Sequence, residues 1–131
     1  MRRIDHIAIV VADMDEAIRR WQSLTGGKLT SRQPAPEQGV EVAFIEVGDT
    51  QVELIRPTSD DSGVARFLAR RGESLHHLAL EVENMQEEMA RLREAGVRFI
   101  DQTPRQGSHG QIAFLHPEST GGVLIELVQR D

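Results

Sequence analysis

The amino-acid sequence predicts an α+β fold built from two similar βαβββ modules, and an internal repeat is the main reason. A strand-like run with a histidine in its third position occurs at residues 4–11 and again at residues 75–82. A second run, which begins with glycine and ends in Glu-Leu, occurs at residues 48–54 and 121–127. Because such self-similarity indicates a duplicated unit, each half is expected to contain a strand, a helix and three further strands.

Each first strand is followed by a predicted helix with matching start signals. Asp13 with Glu16, and Asn84 with Glu87, have the spacing of a capping box at the start of a helix. Apolar residues then recur at helical spacing in both copies. Both predicted helices end near glycines, which are common at helix C-termini: Gly26, Gly27 and Gly96.

The remaining predicted strands lie between each helix and the Glu-Leu run. Residues 28–34 and 40–47 have strand character in the first half, and residues 99–102 and 111–115 are their shorter counterparts in the second. Each half therefore completes the same order of elements.

We expect one domain over residues 1–131, with halves of about 1–57 and 73–131. Residues 58–72 join them and include a predicted short helix at 64–71. A half of about 60 residues buries so small a fraction of its surface that it would be only marginally stable alone. The two halves are therefore expected to pack together.

Composition excludes several functional classes. The chain has 131 residues, a net charge of −6 and no cysteine, so disulfides, cysteine-ligated zinc and thiol catalysis are excluded. It has no apolar run of membrane-spanning length and no signal-peptide pattern. A pI of about 5.4 argues against nucleic acid as a partner. A cytoplasmic location is expected.

Four polar residues occupy equivalent places in the two halves: His6, Glu53, His77 and Glu126. Strand side chains alternate between faces, so these four are expected to point away from the faces that pack under the helices. Any one of them alone would be read as a packed or solvent-facing residue. Their recurrence at matching positions favours a functional set instead.

Two imidazoles and two carboxylates form a mixed nitrogen and oxygen donor set. Such a set suits a borderline divalent ion such as Co²⁺, Ni²⁺, Mn²⁺, Fe²⁺ or Zn²⁺. Four protein ligands on a six-coordinate ion leave two positions for water or substrate, the open arrangement that Lewis-acid catalysis uses.

The sequence resembles the vicinal oxygen chelate (glyoxalase/bleomycin resistance/dioxygenase) superfamily, and within it most closely the methylmalonyl-CoA epimerases. The likeness runs over essentially the whole chain. The run at 121–127, with the His-Pro pair before it, is fairly specific. The stretches that carry the resemblance are residues 4–6, 36–40, 50–54, 75–77, 114–117 and 121–127.

This resemblance implies one curved mixed β-sheet around a metal site. The family's metal ligands fall on His6, Glu53, His77 and Glu126. It implies a divalent ion, first of all Co²⁺, with Mn²⁺, Ni²⁺ or Zn²⁺ as alternatives. It also implies an acyl-CoA substrate, a homodimer, and epimerisation by 1,1-proton transfer through a metal-stabilised enolate. Glu126 and Glu41 are the expected catalytic residues.

Val42 occupies the position of a glutamate that some family members use as a base. The neighbouring Glu41 would face the other side of its strand unless a bulge turned it inward. Three rival functions stay open: a glyoxalase I-like lyase acting on a hemithioacetal, a metal-free binding protein of the same fold, and an iron dioxygenase, whose two-histidine, one-glutamate set would leave Glu53 without a role.

An anionic CoA ligand also requires local cations in this acidic chain. The sequence leaves four arginines available for that role without choosing among them: Arg56, Arg70, Arg71 and Arg105. A loop at residues 105–110 resembles the glycine-containing substrate loop of the family, or it is simply a hairpin connection.

Overall fold

The computed structural model describes all 131 residues, in eight strands and three α-helices. The elements are β1 (Arg3–Val10), α1 (Met14–Thr25), β2 (Lys28–Ala35), β3 (Val40–Val47), β4 (Thr50–Pro57), α2 (Gly63–Arg71), β5 (Ser74–Glu81), α3 (Met85–Glu94), β6 (Arg105–Gln106), β7 (Gly110–Phe114) and β8 (Ile125–Arg130). They confirm the predicted α+β class and the repeated βαβββ order.

The sheet is mixed, and the strands of its two modules pair in the same pattern. The strand order is β2-β3-β4-β1-β5-β8-β7-β6. In the first module β1 pairs in parallel with β4, while β2, β3 and β4 pair antiparallel. In the second module β5 pairs in parallel with β8, while β6, β7 and β8 pair antiparallel.

The chain forms two compact units that differ slightly from the predicted halves. One unit is residues 6–76, and the other joins residues 1–5 to residues 77–131. The N-terminal residues are held in the second unit by a backbone hydrogen bond from Arg2 to Glu81 and by an ion pair between Arg130 and the fully buried Asp5. The predicted linker belongs to the first unit, because α2 packs there.

Helix α1 covers one face of the sheet in the first unit. Asp13 caps it by accepting a hydrogen bond from the Glu16 amide at 3.1 Å. Its apolar face buries Met14, Ala17 and Ile18 against β3 and β4. The predicted cap and its spacing are therefore confirmed.

Helix α3 occupies the equivalent place in the second unit. Asn84 accepts a hydrogen bond from the Glu87 amide at 3.0 Å, as predicted. Met85 and Met89 pack with Leu127 in the core of this unit. None of the three helices is both long enough and apolar enough to cross a membrane.

Helix α2 packs on the opposite face of the first unit from α1. Ser62 caps it by accepting a hydrogen bond from the Ala65 amide at 3.0 Å. Val64 packs against a small cluster that contains Ala8 and Ile55. These two residues alternate along their strands with Ile9 and Leu54, which face α1. The predicted linker helix therefore packs on the face of these strands that α1 does not cover.

The strand predicted at residues 99–102 is wrong. Only Phe99 forms an isolated bridge there, with Leu115, and the short strand β6 comes later. The Asp101 carboxylate accepts hydrogen bonds from the Phe114 amide and from the Arg105 side chain. Because side-chain bonds of this kind compete with ladder bonds, the chain turns instead of continuing a strand.

The last strand also begins later than predicted. Strand β8 starts at Ile125, so Val123 lies before it and is 48% exposed. Gly121 and Gly122 both have positive φ, a conformation that a strand does not use. The alternation predicted from Ile125 onward is confirmed, with Leu127 in the core and Glu126 on the other face.

Candidate metal and substrate site

A histidine and a glutamate meet on the face of the first unit that α1 does not cover. Ala8 of β1 is paired with Glu53 of β4, and His6 lies two residues before Ala8 on the same face. The resulting distance between His6 Nε2 and Glu53 Oε1 is 3.2 Å. Both side chains are buried, as is Ala8, whose small side chain takes up little of this face.

The second unit repeats this arrangement. Ala79 of β5 is paired with Glu126 of β8, and His77 precedes Ala79 by two residues. His77 Nε2 and Glu126 Oε1 lie 3.8 Å apart, and both side chains are buried. Within each unit the structure therefore brings together the histidine and glutamate that the sequence analysis singled out.

A phenylalanine packs against each histidine, and neither was predicted from the sequence. The Phe44 ring meets the His6 ring edge to face at 5.8 Å between centroids, and Phe114 meets His77 in the same way at 5.4 Å. Each phenylalanine is the strand partner of the glutamate in its unit. The signal was present as Val-Ala-Phe-Ile at 42–45 and Ile-Ala-Phe-Leu at 112–115, two matching runs in the repeat.

Burial distinguishes the two histidines and two glutamates of these pairs from most other polar residues of the chain. Five polar or charged residues are buried in the whole chain: Asp5, His6, Glu53, His77 and Glu126. Arg130 neutralises Asp5 through two hydrogen bonds, at 2.5 and 3.1 Å. Burying a carboxylate is costly unless it is paired or binds a metal, so the two His–Glu pairs are where a divalent ion fits the donor chemistry.

The two adjacent histidines of β5 have different surroundings. His77 is 5% exposed, next to Phe114 and Glu126. His76 is only half-buried and packs edge-on against Phe67 of α2, at 4.8 Å between ring centroids. The buried setting of His77, beside a phenylalanine and a glutamate, matches that of His6, and the setting of His76 does not.

The placement of Glu41 does not fit the catalytic role expected of it. Strand β3 pairs with β4 in unbroken register, so no bulge turns Glu41 inward. Its carboxylate pairs with Arg32 at 2.9 Å and with Arg56 at 3.0 Å, and Arg32 also binds Asp15 of α1. Val42 occupies the face of Ala8 instead.

The electrostatics of Glu41 agree with this placement. The hydrogen bond from Arg32, helped by that from Arg56, holds the pKa of Glu41 below its ordinary value. A general base works best with a pKa near the working pH, so a lowered pKa makes Glu41 a poorer base. Glu41 is a structural ion-pair residue between β2, β3 and β4.

Replacing Glu41 with glutamine is therefore expected to cost about 1 kcal/mol of unfolding free energy at pH 7 and to spare catalysis. Because the folded-state pKa is lowered, this stabilisation is complete above the unfolded value and is lost as the pH falls through the folded one. Urea unfolding at pH 7 and pH 3 measures it, with Glu46→Gln, an exposed change on the same strand, as control. Loss of activity in Glu41→Gln with no loss of stability would contradict this placement.

Two of the four candidate arginines already form ion pairs with carboxylates. Arg56 pairs with Glu41, and Arg105 pairs with Asp101 at 3.0 Å while lying over the Phe114 ring. The loop after Arg105 is a tight hairpin, closed by a 2.7 Å hydrogen bond from the Gly107 amide to the Gly110 carbonyl. Arg70 and Arg71 form no ion pair with a carboxylate.

Comparison with known proteins agrees with the fold and with the repeated pairs. Residues 5–114 match the Glyoxalase/Bleomycin resistance protein/Dioxygenase superfamily. The chain belongs to this superfamily, and the predicted resemblance is confirmed.

Within the superfamily, the chain is similar to proteins named methylmalonyl-CoA epimerase. The human mitochondrial methylmalonyl-CoA epimerase is 36% identical over 129 residues, which cover 97% of this chain and 73% of the human protein. The crystal structure of methylmalonyl-CoA epimerase from Mycobacterium tuberculosis has a TM-score of 0.92 at 36% identity, covering 98% of this chain and 88% of that one.

A third relative carries a ligand. A structure of a Streptomyces coelicolor methylmalonyl-CoA epimerase variant in complex with 2-nitronate-propionyl-CoA has a TM-score of 0.89 at 36% identity, over 99% of this chain and 98% of that one. The expected likeness to an epimerase is thus confirmed.

Proposed function

We propose that this protein is a metal-dependent epimerase of methylmalonyl-CoA or a similar 2-substituted acyl-CoA. The observation that carries the proposal is the 36% identity to methylmalonyl-CoA epimerase over 97% of the chain. The complex of the Streptomyces coelicolor enzyme with an acyl-CoA analogue supports the same substrate class. The lyase and the metal-free binding protein are the alternatives to be tested.

The proposed metal ligands are His6, Glu53, His77 and Glu126, acting on one divalent ion. Strands β1 and β5, which carry the histidines, are neighbours in the strand order. Two carboxylates also match the charge of a dication.

A divalent ion held there supplies Lewis-acid stabilisation for negative charge on the thioester oxygen. The residues of the chain have the remaining tasks. Epimerisation removes the α-proton from one face of the carbon and returns a proton to the other, which requires two proton carriers. We assign one role to the Glu126 carboxylate. The second carrier is a group other than Glu41, whose carboxylate is held by two arginines on the opposite face.

Exchange of the α-proton with solvent tests the proposal. Protein stripped of metal and reloaded with Co²⁺ is expected to incorporate deuterium from D₂O into methylmalonyl-CoA, followed by NMR or mass spectrometry. Stripped protein without added metal is the control. Absence of exchange, together with turnover of a methylglyoxal–thiol adduct, would assign the protein to the lyases. Tight binding of a ligand without turnover of either substrate would favour a binding protein.

Three finer points belong to the same proposal; the first two rest on the resemblance, and the third rests on the composition. They are Co²⁺ as the preferred ion over Mn²⁺, Ni²⁺ and Zn²⁺, a homodimeric state, and a cytoplasmic location. Metal analysis of the purified protein and light scattering in solution test the first two, and cell fractionation tests the third.

A further inference from the structure

Helix α2 is an uncompensated cationic element in an acidic chain. It contains Arg66, Arg70 and Arg71 and no acidic residue, whereas the whole chain has a net charge of −6. Arg66 donates a hydrogen bond to the backbone carbonyl of Asp61 at 2.7 Å. Arg70 and Arg71 are exposed and pair with no carboxylate, so two guanidinium groups are available to an anion.

An aromatic platform lies beside these arginines. The Arg71 guanidinium is 5.3 Å from the centre of the Phe67 ring, and the His76 ring meets Phe67 at an angle of 64°. Phe67 and His76 are both only half-buried. An aromatic ring flanked by a guanidinium is a surface on which a nucleobase stacks while its phosphates are bound by arginine.

The position of α2 relates this surface to the His6–Glu53 pair. Val64 anchors α2 against Ala8 and Ile55. Ala8 alternates with the α1-facing Ile9 and therefore shares a face with His6. Helix α2 thus lies over the face of the first unit that carries the pair, while α1 lies on the other.

We infer that α2 binds the nucleotide end of the acyl-CoA substrate, with the adenine against Phe67 and His76 and the phosphates on Arg70 and Arg71. This inference rests on the proposed function. It also explains how an acidic protein accepts a polyanionic ligand, because the cations needed are concentrated on one helix. Arg56 and Arg105 are less available for this role, because they already pair with the carboxylates of Glu41 and Asp101.

A comparison of two substrates tests the inference. With methylmalonyl-CoA, the Arg70→Gln/Arg71→Gln variant is expected to lose about tenfold in kcat/KM for each phosphate contact removed, mainly through KM. With methylmalonyl-pantetheine, which lacks the nucleotide, the variant and the parent protein should be equal. Arg70→Lys/Arg71→Lys should recover part of the loss, because lysine also binds phosphate as a point charge.

Matched variants separate binding from folding. Arg19→Gln removes another arginine without an ion pair, but on α1 and the opposite face, and should leave both substrates unaffected. Phe67→Leu keeps an apolar side chain and removes the stacking surface, so KM for methylmalonyl-CoA should rise about tenfold. Thermal unfolding of each variant checks that α2 is intact, since arginines near a helix C-terminus also stabilise the helix.

Equal losses with both substrates, or no loss with either, would overturn the inference. If the parent protein turns over neither substrate, the proposed function fails. Calorimetric titration with CoA alone then tests separately whether α2 binds the nucleotide. Binding of CoA that is unchanged in the double glutamine variant would then reject α2 as the nucleotide site. Binding that weakens in this variant and not in Arg19→Gln would support it.

Discussion

Replacement of His77 with alanine is expected to abolish both metal binding and α-proton exchange. His77 is a buried imidazole whose Nε2 lies 3.8 Å from Glu126, and alanine provides no donor atom in its place. Changing even an outer partner of a metal ligand commonly costs 10- to 100-fold in affinity, so loss of a ligand should exceed about 100-fold. Titration of stripped protein with Co²⁺, followed by the visible absorption of the ion, measures the affinity.

His76→Ala is the matched control, since it removes the same side chain from the adjacent position of β5. His76 packs against Phe67 of α2, so its loss should leave the Co²⁺ affinity within about threefold of the parent value, a difference smaller than 1 kcal/mol. It should instead raise KM for methylmalonyl-CoA. The reverse pattern, with metal lost in His76→Ala and kept in His77→Ala, would disprove the assignment of the ligand to His77.

Glutamine substitution at the two glutamates is expected to have unequal effects. Glutamine keeps a carbonyl oxygen that can coordinate an ion, but it cannot accept a proton at neutral pH. If Glu126 carries a proton and Glu53 is only a ligand, Glu126→Gln should lower kcat for exchange by about 10²- to 10⁴-fold. Glu53→Gln should stay within about tenfold of the parent, since only its charge is lost.

The metal content of both variants makes this comparison decisive. Each should retain one equivalent of Co²⁺, so a difference in rate would reflect proton transfer rather than loss of the ion. A large fall in kcat in both variants, with the ion still bound, would contradict the proposal, because proton transfer could then not be assigned to Glu126 alone. A fall in kcat in Glu53→Gln alone would mean that Glu53 carries the proton and that Glu126 is only a ligand.

The repeat made much of the fold predictable. Local signals and their periodicity identified both capped helices, at Asp13 and Asn84, because a cap depends on residues three apart. The same strand alternation correctly separated Glu126 from Leu127. Prediction failed at residues 99–102, where the Asp101 side chain bonds to the Phe114 amide, a partner distant in sequence.

The candidate site was predictable in its residue types but not in its setting. His6, Glu53, His77 and Glu126 could be selected because they recur at matching positions. The phenylalanines that support the histidines were missed, although their runs repeat as well, because apolar residues are ordinary in strands. The ion pairs of Glu41 with Arg32 and Arg56 join three strands and could not be read from any local pattern.

The sequence by itself determined the α+β class, the two βαβββ modules and the identity of the paired histidines and glutamates, since all of these follow from local periodicity and repetition. Only the tertiary structure decided which arginines are available, which face Glu41 occupies and where α2 packs. These properties depend on contacts between residues far apart in the chain. The sequence offered Arg70 and Arg71 of helix α2 as two of four candidate arginines, and the packing of this helix is what favours them over the other two.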